Sequence, residues 1–231
     1  MKHLKTFAAL CCVAAAFAAC EQQNGPDNGQ TGNNDQTQTG NSDPANGHEW
    51  VDLGLPSGTK WATCNVGATK PEEYGNYYAW GETETKSTYS WSTYFDTTDG
   101  GSTFTKYTTD GKTVLELADD AARANWGGAW RMPTDDEWTE LRENCTWTWT
   151  TLNGVNGFEV KGPNGNSIFL PAAGVRGYGS SGGAGSHGHY WSSSLNTGSP
   201  DFAWYVDFDS AHVDRYCYYR YFGRSVRPVL K

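Results

Sequence analysis

The clearest alternation of apolar and polar positions lies near the C-terminus, in residues 202–209. Apolar side chains occupy one phase of this stretch, at Phe202, Trp204, Val206 and Phe208. The other phase carries Tyr205, Asp207 and Asp209. A period of two predicts a strand with one buried face. Beyond it, residues 214–221 (DRYCYYRY) are crowded with tyrosine and arginine, which interfaces favour. We interpret the stretch as a binding surface; the alternative is an ordinary half-exposed strand pair with tyrosines on its rim.

Elsewhere the pattern predicts short strands, two helices and long loops. Strands are predicted at 50–53, 60–64, 158–160 and 167–170, the last two joined by an Asn-Gly turn within 163–166. One short helix is predicted at 117–124. Residues 83–113 are predicted to form a long surface excursion, and the glycine-rich segment 174–190 a loop.

The second predicted helix begins after Thr134, because Glu137 three residues later completes a capping box. One buried stripe is predicted at Trp138, Leu141 and Cys145. The acidic run 135–137 is interpreted as favourable charge at a helix N-terminus, not as a catalytic or metal cluster.

The N-terminal segment is predicted to be a targeting signal. A basic start is followed by an apolar stretch and small residues directly before Cys20, which resembles a bacterial lipoprotein signal. We therefore predict a signal peptide at 1–19, lipidation of Cys20, and a disordered Gly/Asn/Gln tether at 20–47. The alternative is a plain secretory signal with an incidental cysteine. The folded domain is predicted at 48–231.

Composition narrows the function class. The chain has 231 residues, 11 Trp, 13 Tyr and 28 Gly, which favours an aromatic, loop-rich domain of short strands. Its formal net charge of −9 argues against nucleic acid as a partner. No apolar run beyond the N-terminus is long enough to span a membrane.

Export would leave three cysteines in the folded domain. Cys64–Cys145 is the preferred disulfide, and the alternative is two buried thiols. Cys217 is then unpaired within the aromatic stretch.

Several sequence blocks, in order, carry a resemblance to a known family. They are VDLGLPSGTKWATCNVGA, YGNYYAWGE, WGGAWRMPTDDEWTEL, NCTWTWT, NSIFLPAAG, YWSSS and GRSVRPV. Together they resemble the Fibrobacter succinogenes major paralogous domain across about 48–231. The resemblance implies an α+β fold, the C-type-lectin-like fold of the formylglycine-generating-enzyme subtype, with short twisted strands, two helices and many loops.

Proteins of this fold also serve as variable proteins of diversity-generating retroelements, which randomise adenines, typically in AAC codons. Such codons cannot yield Lys, Glu, Gln or Met, and residues 172–230 contain none of these four. The resemblance therefore implies a variable binding region at about 176–221, in which Cys217 is one outcome of random drawing. Trp204, Val206, Phe208 and Val213 would form a fixed frame. The alternative is a surface that merely lacks those four residue types.

The candidate ligand-binding residues lie in this region and in the loop that flanks it. They are Asp201, Tyr205, Asp207, Asp209, His212, Asp214, Arg215, Tyr216, Tyr218, Tyr219, Arg220, Tyr221, His187 and His189. Tyrosines would supply flat contact area, arginines forked donors and aspartates polarity.

Catalysis is not predicted. Formylglycine-generating enzymes hold copper with two cysteines, and the chain past Cys145 offers only Cys217. The pair His187 and His189 has no evident third zinc ligand, so no metal or cofactor is expected. We predict a monomeric lipoprotein, anchored in the outer membrane by its lipid alone and exposed at the cell surface, that binds an extracellular protein or glycan. The alternatives are a non-diversified adhesin or glycan-binding module, a structural subunit of a surface complex, and residual oxidase-like catalysis.

Overall fold

The computed structural model describes residues 46–97, 99–108, 110–177 and 180–231. The predicted signal peptide, Cys20 and nearly all of the predicted tether lie outside these ranges. Within them, no helix is long and apolar enough to cross a membrane.

In the part of the chain that the structure describes, short antiparallel strands form most of the regular structure, in four small sheets. The first sheet has the order β1 (Trp50–Asp52), β2 (Lys60–Ala62), β11 (Val229–Leu230). The second is the meander β3 (Thr146–Leu152), β4 (Val155–Lys161), β5 (Ser167–Pro171). The third has the order β10 (Val213–Tyr219), β9 (Phe202–Phe208), β8 (Gly188–Leu195). The fourth pairs β6 (Val175–Gly177) with β7 (Ser180–Gly182).

Within the described ranges two α-helices accompany the sheets, so the fold is α+β, as predicted. Helix α2 (Asp135–Asn144) begins as predicted, because the Thr134 side chain accepts from the Glu137 N–H and Glu137 caps in return. The other predicted helix is a 3₁₀ turn at Leu117–Asp119 followed by α1 (Ala121–Trp126). The Asn-Gly turn at 164–165 joins β4 to β5, also as predicted.

Two sequence-based predictions for long loops are wrong. The glycine-rich segment 174–190 contains β6, β7 and the start of β8. The excursion 83–113 has little regular structure, but it is not simply a surface loop, because Tyr89, Tyr94 and Tyr107 are buried within it. These three tyrosines form part of the core.

The core consists of aromatic-rich clusters on both sides of the β8–β9–β10 sheet. Val206 and Phe208 of β9 pack in the cluster that contains Trp138 and Leu141 of α2. Ala203 and Tyr205, in the other phase of β9, belong to the cluster that contains Trp80 and Trp191. Because β9 is the central strand and both of its faces are covered, alternate residues of β9 pack in two different core clusters. The alternation therefore does not separate a buried face from a solvent-exposed face.

Buried arginines connect the C-terminal segment to distant parts of the chain. Arg227 donates to the carbonyl oxygens of Ala62, Thr63 and Phe169 and to Asn65 Oδ1, at 2.8–2.9 Å. All three nitrogens of its guanidinium therefore have an acceptor, and the end of β2 is joined to β5.

Candidate binding surface

The predicted surface corresponds to the β9–β10 hairpin. The two strands pair in register from Val213–Phe208 to Tyr219–Phe202. Asp209 stabilises the turn between them, since its Oδ1 accepts from the N–H groups of Ala211 (2.7 Å) and His212 (3.0 Å). These donors lower the pKa of the Asp209 carboxyl. Asp209 therefore has a structural role in the turn.

Two tyrosines of β10 are the most exposed aromatic side chains of the hairpin. Tyr216 is 49% exposed and Tyr218 is 42% exposed. They lie two residues apart, on the same face of an edge strand. Tyr205 pairs directly opposite Tyr216, with ring centroids 6.3 Å apart, and Phe202 stacks on Tyr218 at 5.8 Å. Each exposed ring thus packs against another aromatic ring.

The opposite face of β10 presents Arg215. Its guanidinium lies 3.3 Å from the ring centroid of Trp204, a close cation–π contact. Its Nε and Nη2 pair with Asp135 at the start of α2, at 2.6–2.7 Å. Arg215 is partly exposed, but its orientation is already fixed by the protein.

Two predicted ligand-binding residues are fully buried, and the charge of Arg220 is already paired with Asp96. Arg220 is fully buried, where its Nη1 lies 3.1 Å from Asp96 Oδ2 and its Nη2 donates to the Tyr107 carbonyl at 2.8 Å. Tyr221 is fully buried in a third aromatic cluster with Tyr89 and Tyr94. Their assignment to the surface is wrong, because both pack against the excursion 83–113.

Tyr205, Asp207 and His189 lie beside the exposed tyrosines, on the neighbouring strands β9 and β8. Tyr205 is buried, so it supports the surface rather than forming it. His189 Nδ1 lies 2.7 Å from Asp207 Oδ1, a close contact that is poorly aligned for a hydrogen bond. Burial lowers the pKa of His189 although Asp207 opposes the shift.

The remaining candidates lie around the rim. The half-exposed Asp214 is 3.9 Å from Arg142 Nη2, and the exposed His212 is 3.4 Å from Asp209. Asp201 lines a cleft of about 360 Å³ together with Phe104 and Thr108. Two further candidates contact other side chains of the protein. The Tyr219 ring packs against Trp91, and His187 shares a hydrogen bond with the Ser186 hydroxyl.

The structure contradicts the predicted disulfide, because Cys64 and Cys145 are both free thiols. Cys64 is buried in the wall of a cleft with His48 and Trp126, whereas Cys145 ends α2 and packs in the cluster of Trp138. The two sulfurs thus have different surroundings. Burial raises the pKa of Cys145 to about 11, which disfavours the reactive thiolate form.

No group of three or more histidine, cysteine or acidic side chains suited to a metal ion occurs within the ranges that the structure describes. The rings of His187 and His189 stack 6.2 Å apart.

Arg224 is a buried residue next to this surface that the sequence pattern does not predict. It is only 3% exposed, and its guanidinium lies 3.5 Å from the ring centroid of Tyr205 and 4.6 Å from that of Trp191. Burial lowers its pKa to about 10. Its segment, GRSVRPV, gave no local signal, since the long-range pairing of its backbone with Tyr78 brings it under the hairpin.

Comparisons with known proteins add one match. A family model described as a domain of unknown function, DUF8237, matches residues 149–229, which include the whole β9–β10 hairpin but less than half of the chain. No curated protein and no solved structure matches this chain.

Proposed function

We propose that this protein is a non-catalytic lipoprotein, anchored in the outer membrane and exposed at the cell surface, that binds an extracellular protein or glycan. The proposed fold is the C-type-lectin-like fold of the formylglycine-generating-enzyme subtype, as in the Fibrobacter succinogenes major paralogous domain. The sequence blocks of that family, the antiparallel meanders and the two helices support this assignment.

The observation that carries the proposal is the pair Tyr216 and Tyr218. Tyrosine offers a large, rigid and amphipathic contact area at low entropic cost, and it is enriched in binding sites. Here two such rings protrude from one edge strand, and that strand is fixed by a seven-residue register to β9. A surface of this kind needs little reorganisation to bind a partner, which favours affinity.

Diversification of the surface by a retroelement is the second part of the proposal. Val206 and Phe208, in the expected fixed frame, are buried, whereas Asp214, Tyr216 and Tyr218 are half-exposed or exposed. Substitution at the exposed positions would leave the core intact. The lack of Lys, Glu, Gln and Met from 172 to 230 supports the same interpretation.

A fixed glycan-binding module is the second candidate, because adjacent exposed tyrosine rings also suit stacking on sugar faces. In that case the surface would be the same and its sequence would not vary between copies of the gene.

The test is a binding screen of the purified protein against arrays of extracellular proteins and glycans. Y216A and Y218A are each expected to lower the affinity for a captured ligand by at least tenfold. Central tyrosines often contribute roughly 2 kcal/mol or more to the binding free energy of an interface. The matched control is L117A, which removes a 53% exposed apolar side chain from another element. Equal binding by all three variants would refute the proposed surface.

A further inference from the structure

Three arginines within eight residues of the chain are buried, and they differ in their partners. Arg220 pairs with Asp96, and every nitrogen of the Arg227 guanidinium donates to a protein oxygen. Arg224 has neither arrangement. Its Nε and Nη1 are buried without a hydrogen-bond acceptor, and it forms no ion pair with any carboxylate of the described ranges. A buried cation without an oxyanion partner is energetically costly.

Aromatic faces occupy the space around the Arg224 guanidinium. Tyr205 and Trp191 are closest, and the centroids of Phe222 and Tyr218 lie at 5.7 and 6.0 Å. Cation–π contacts of this kind partly offset desolvation. The Tyr205 side chain also hydrogen-bonds to the guanidinium. Nε and Nη1 nevertheless have no acceptor, because a ring face is a weak acceptor compared with a carboxylate.

The nearby carboxylate, Asp207, attracts Arg224 electrostatically but forms no ion pair with it. It lies 2.7 Å from His189 Nδ1, and burial lowers the pKa of that histidine so that the ring is neutral at pH 7. Arg224 remains positively charged at that pH, since its pKa is still about 10. A positive charge with unsatisfied donors thus lies below Tyr218, which is itself 42% exposed.

We propose that Arg224 is the specificity-determining group of the surface and receives a carboxylate of the ligand between the rings of Tyr205 and Tyr218. The inference rests on the proposed binding function, because the carboxylate approaches through the exposed face of β10. The path requires a rotation of the Tyr218 ring, which is 42% exposed and also contacts Phe202, Tyr219 and Phe222. A carboxylate suits the site because it is planar, matches the guanidinium fork and carries one charge. The net charge of −9 disfavours polyanions.

The probe for this site is benzoate, with neutral benzamide as its matched control, titrated at pH 7 into the purified protein. The ¹⁵N–¹H signal of the Arg224 side chain is expected to shift with benzoate and not with benzamide. R224M keeps an apolar stem among the rings and is expected to weaken benzoate binding by about tenfold or more, the value of a charge-assisted hydrogen bond. R123M, on α1, is the control for general loss of positive charge.

Replacement of a buried unpaired cation by methionine is expected to leave the protein folded. The direct signal of Arg224 in the wild type provides a test that does not depend on any variant. Equal shifts with benzoate and benzamide, or unchanged benzoate binding in R224M, would overturn the proposal. If a ligand captured in the screen is lost with Y216A but fully retained by R224M, the carboxylate inference fails and the binding function stands.

Discussion

The Asp96–Arg220 pair gives the sharpest prediction about stability. Both side chains are buried, and Arg220 Nη1 lies 3.1 Å from Asp96 Oδ2. Asp96 Oδ1 also accepts from the N–H groups of Thr105 (2.9 Å) and Lys106 (2.8 Å) and from the Thr105 hydroxyl. D96A removes all of these acceptors and leaves a buried cation that cannot lose its proton.

Breaking a buried pair from one side costs about 3–5 kcal/mol. We expect D96A to lower the free energy of unfolding by this amount, a large share of the roughly 5–15 kcal/mol that stabilises a typical domain. R220M is expected to cost less, because Asp96 keeps the donors of Thr105 and Lys106 and its carboxyl can take up a proton. In D96A/R220M the loss is expected to be smaller than the sum of the two single losses.

The assay is urea denaturation at pH 7, followed by tryptophan fluorescence and circular dichroism. A loss in D96A below about 0.5 kcal/mol, the range of ordinary surface substitutions, would refute the reasoning. Normal stability of R220M together with loss of ligand binding would return Arg220 to the binding surface.

Three further predictions concern buried polar groups. R227M leaves the carbonyl oxygens of Ala62, Thr63 and Phe169 without their donor, and we expect a loss of about 2–4 kcal/mol by the same assay; a near-neutral variant would contradict this. The pKa of His189 is lowered below its ordinary 6.5 in the folded protein, so the unfolded chain binds the proton more tightly. The contribution of His189 to the free energy of unfolding is therefore complete above pH 6.5 and declines as the pH falls below that value. H189Q is expected to flatten that part of the stability–pH profile, and an unchanged slope would exclude His189 as its source. Because Cys145 is a free thiol with a pKa of about 11, we expect reducing agent to leave the melting temperature unchanged; a decrease would indicate a disulfide.

Local signals predicted the elements that depend on a few neighbouring residues. The capping box of Thr134 and Glu137 lies within one helical turn, and the Asn-Gly turn at 164–165 lies between two short apolar runs. A second such pair, Asn153-Gly154, joins β3 to β4 and is an equally local signal.

The missed features depend on contacts between distant positions. Arg220 is separated from Asp96 by 124 residues, so its burial has no signature in DRYCYYRY. Likewise, the sequence predicts a loop at Gly188, whereas the structure begins β8 there. An added Cβ there would lie 2.0 Å from Phe208 Cζ, and only glycine allows that ring to approach. Which side chains of an aromatic stretch are exposed can therefore be determined only from the tertiary structure.

The central claim, a diversified binding surface on a fixed scaffold, is tested most directly by sequencing the DNA that flanks the gene. We expect a reverse transcriptase gene and a near-copy of the segment for residues 176–230 that differs only where the copy has adenine. The differences should fall at codons of exposed positions such as Asp214, Tyr216 and Tyr218, and spare those of the buried Val206 and Arg220. A near-copy whose differences ignore adenine, or fall on the buried codons, would contradict the account.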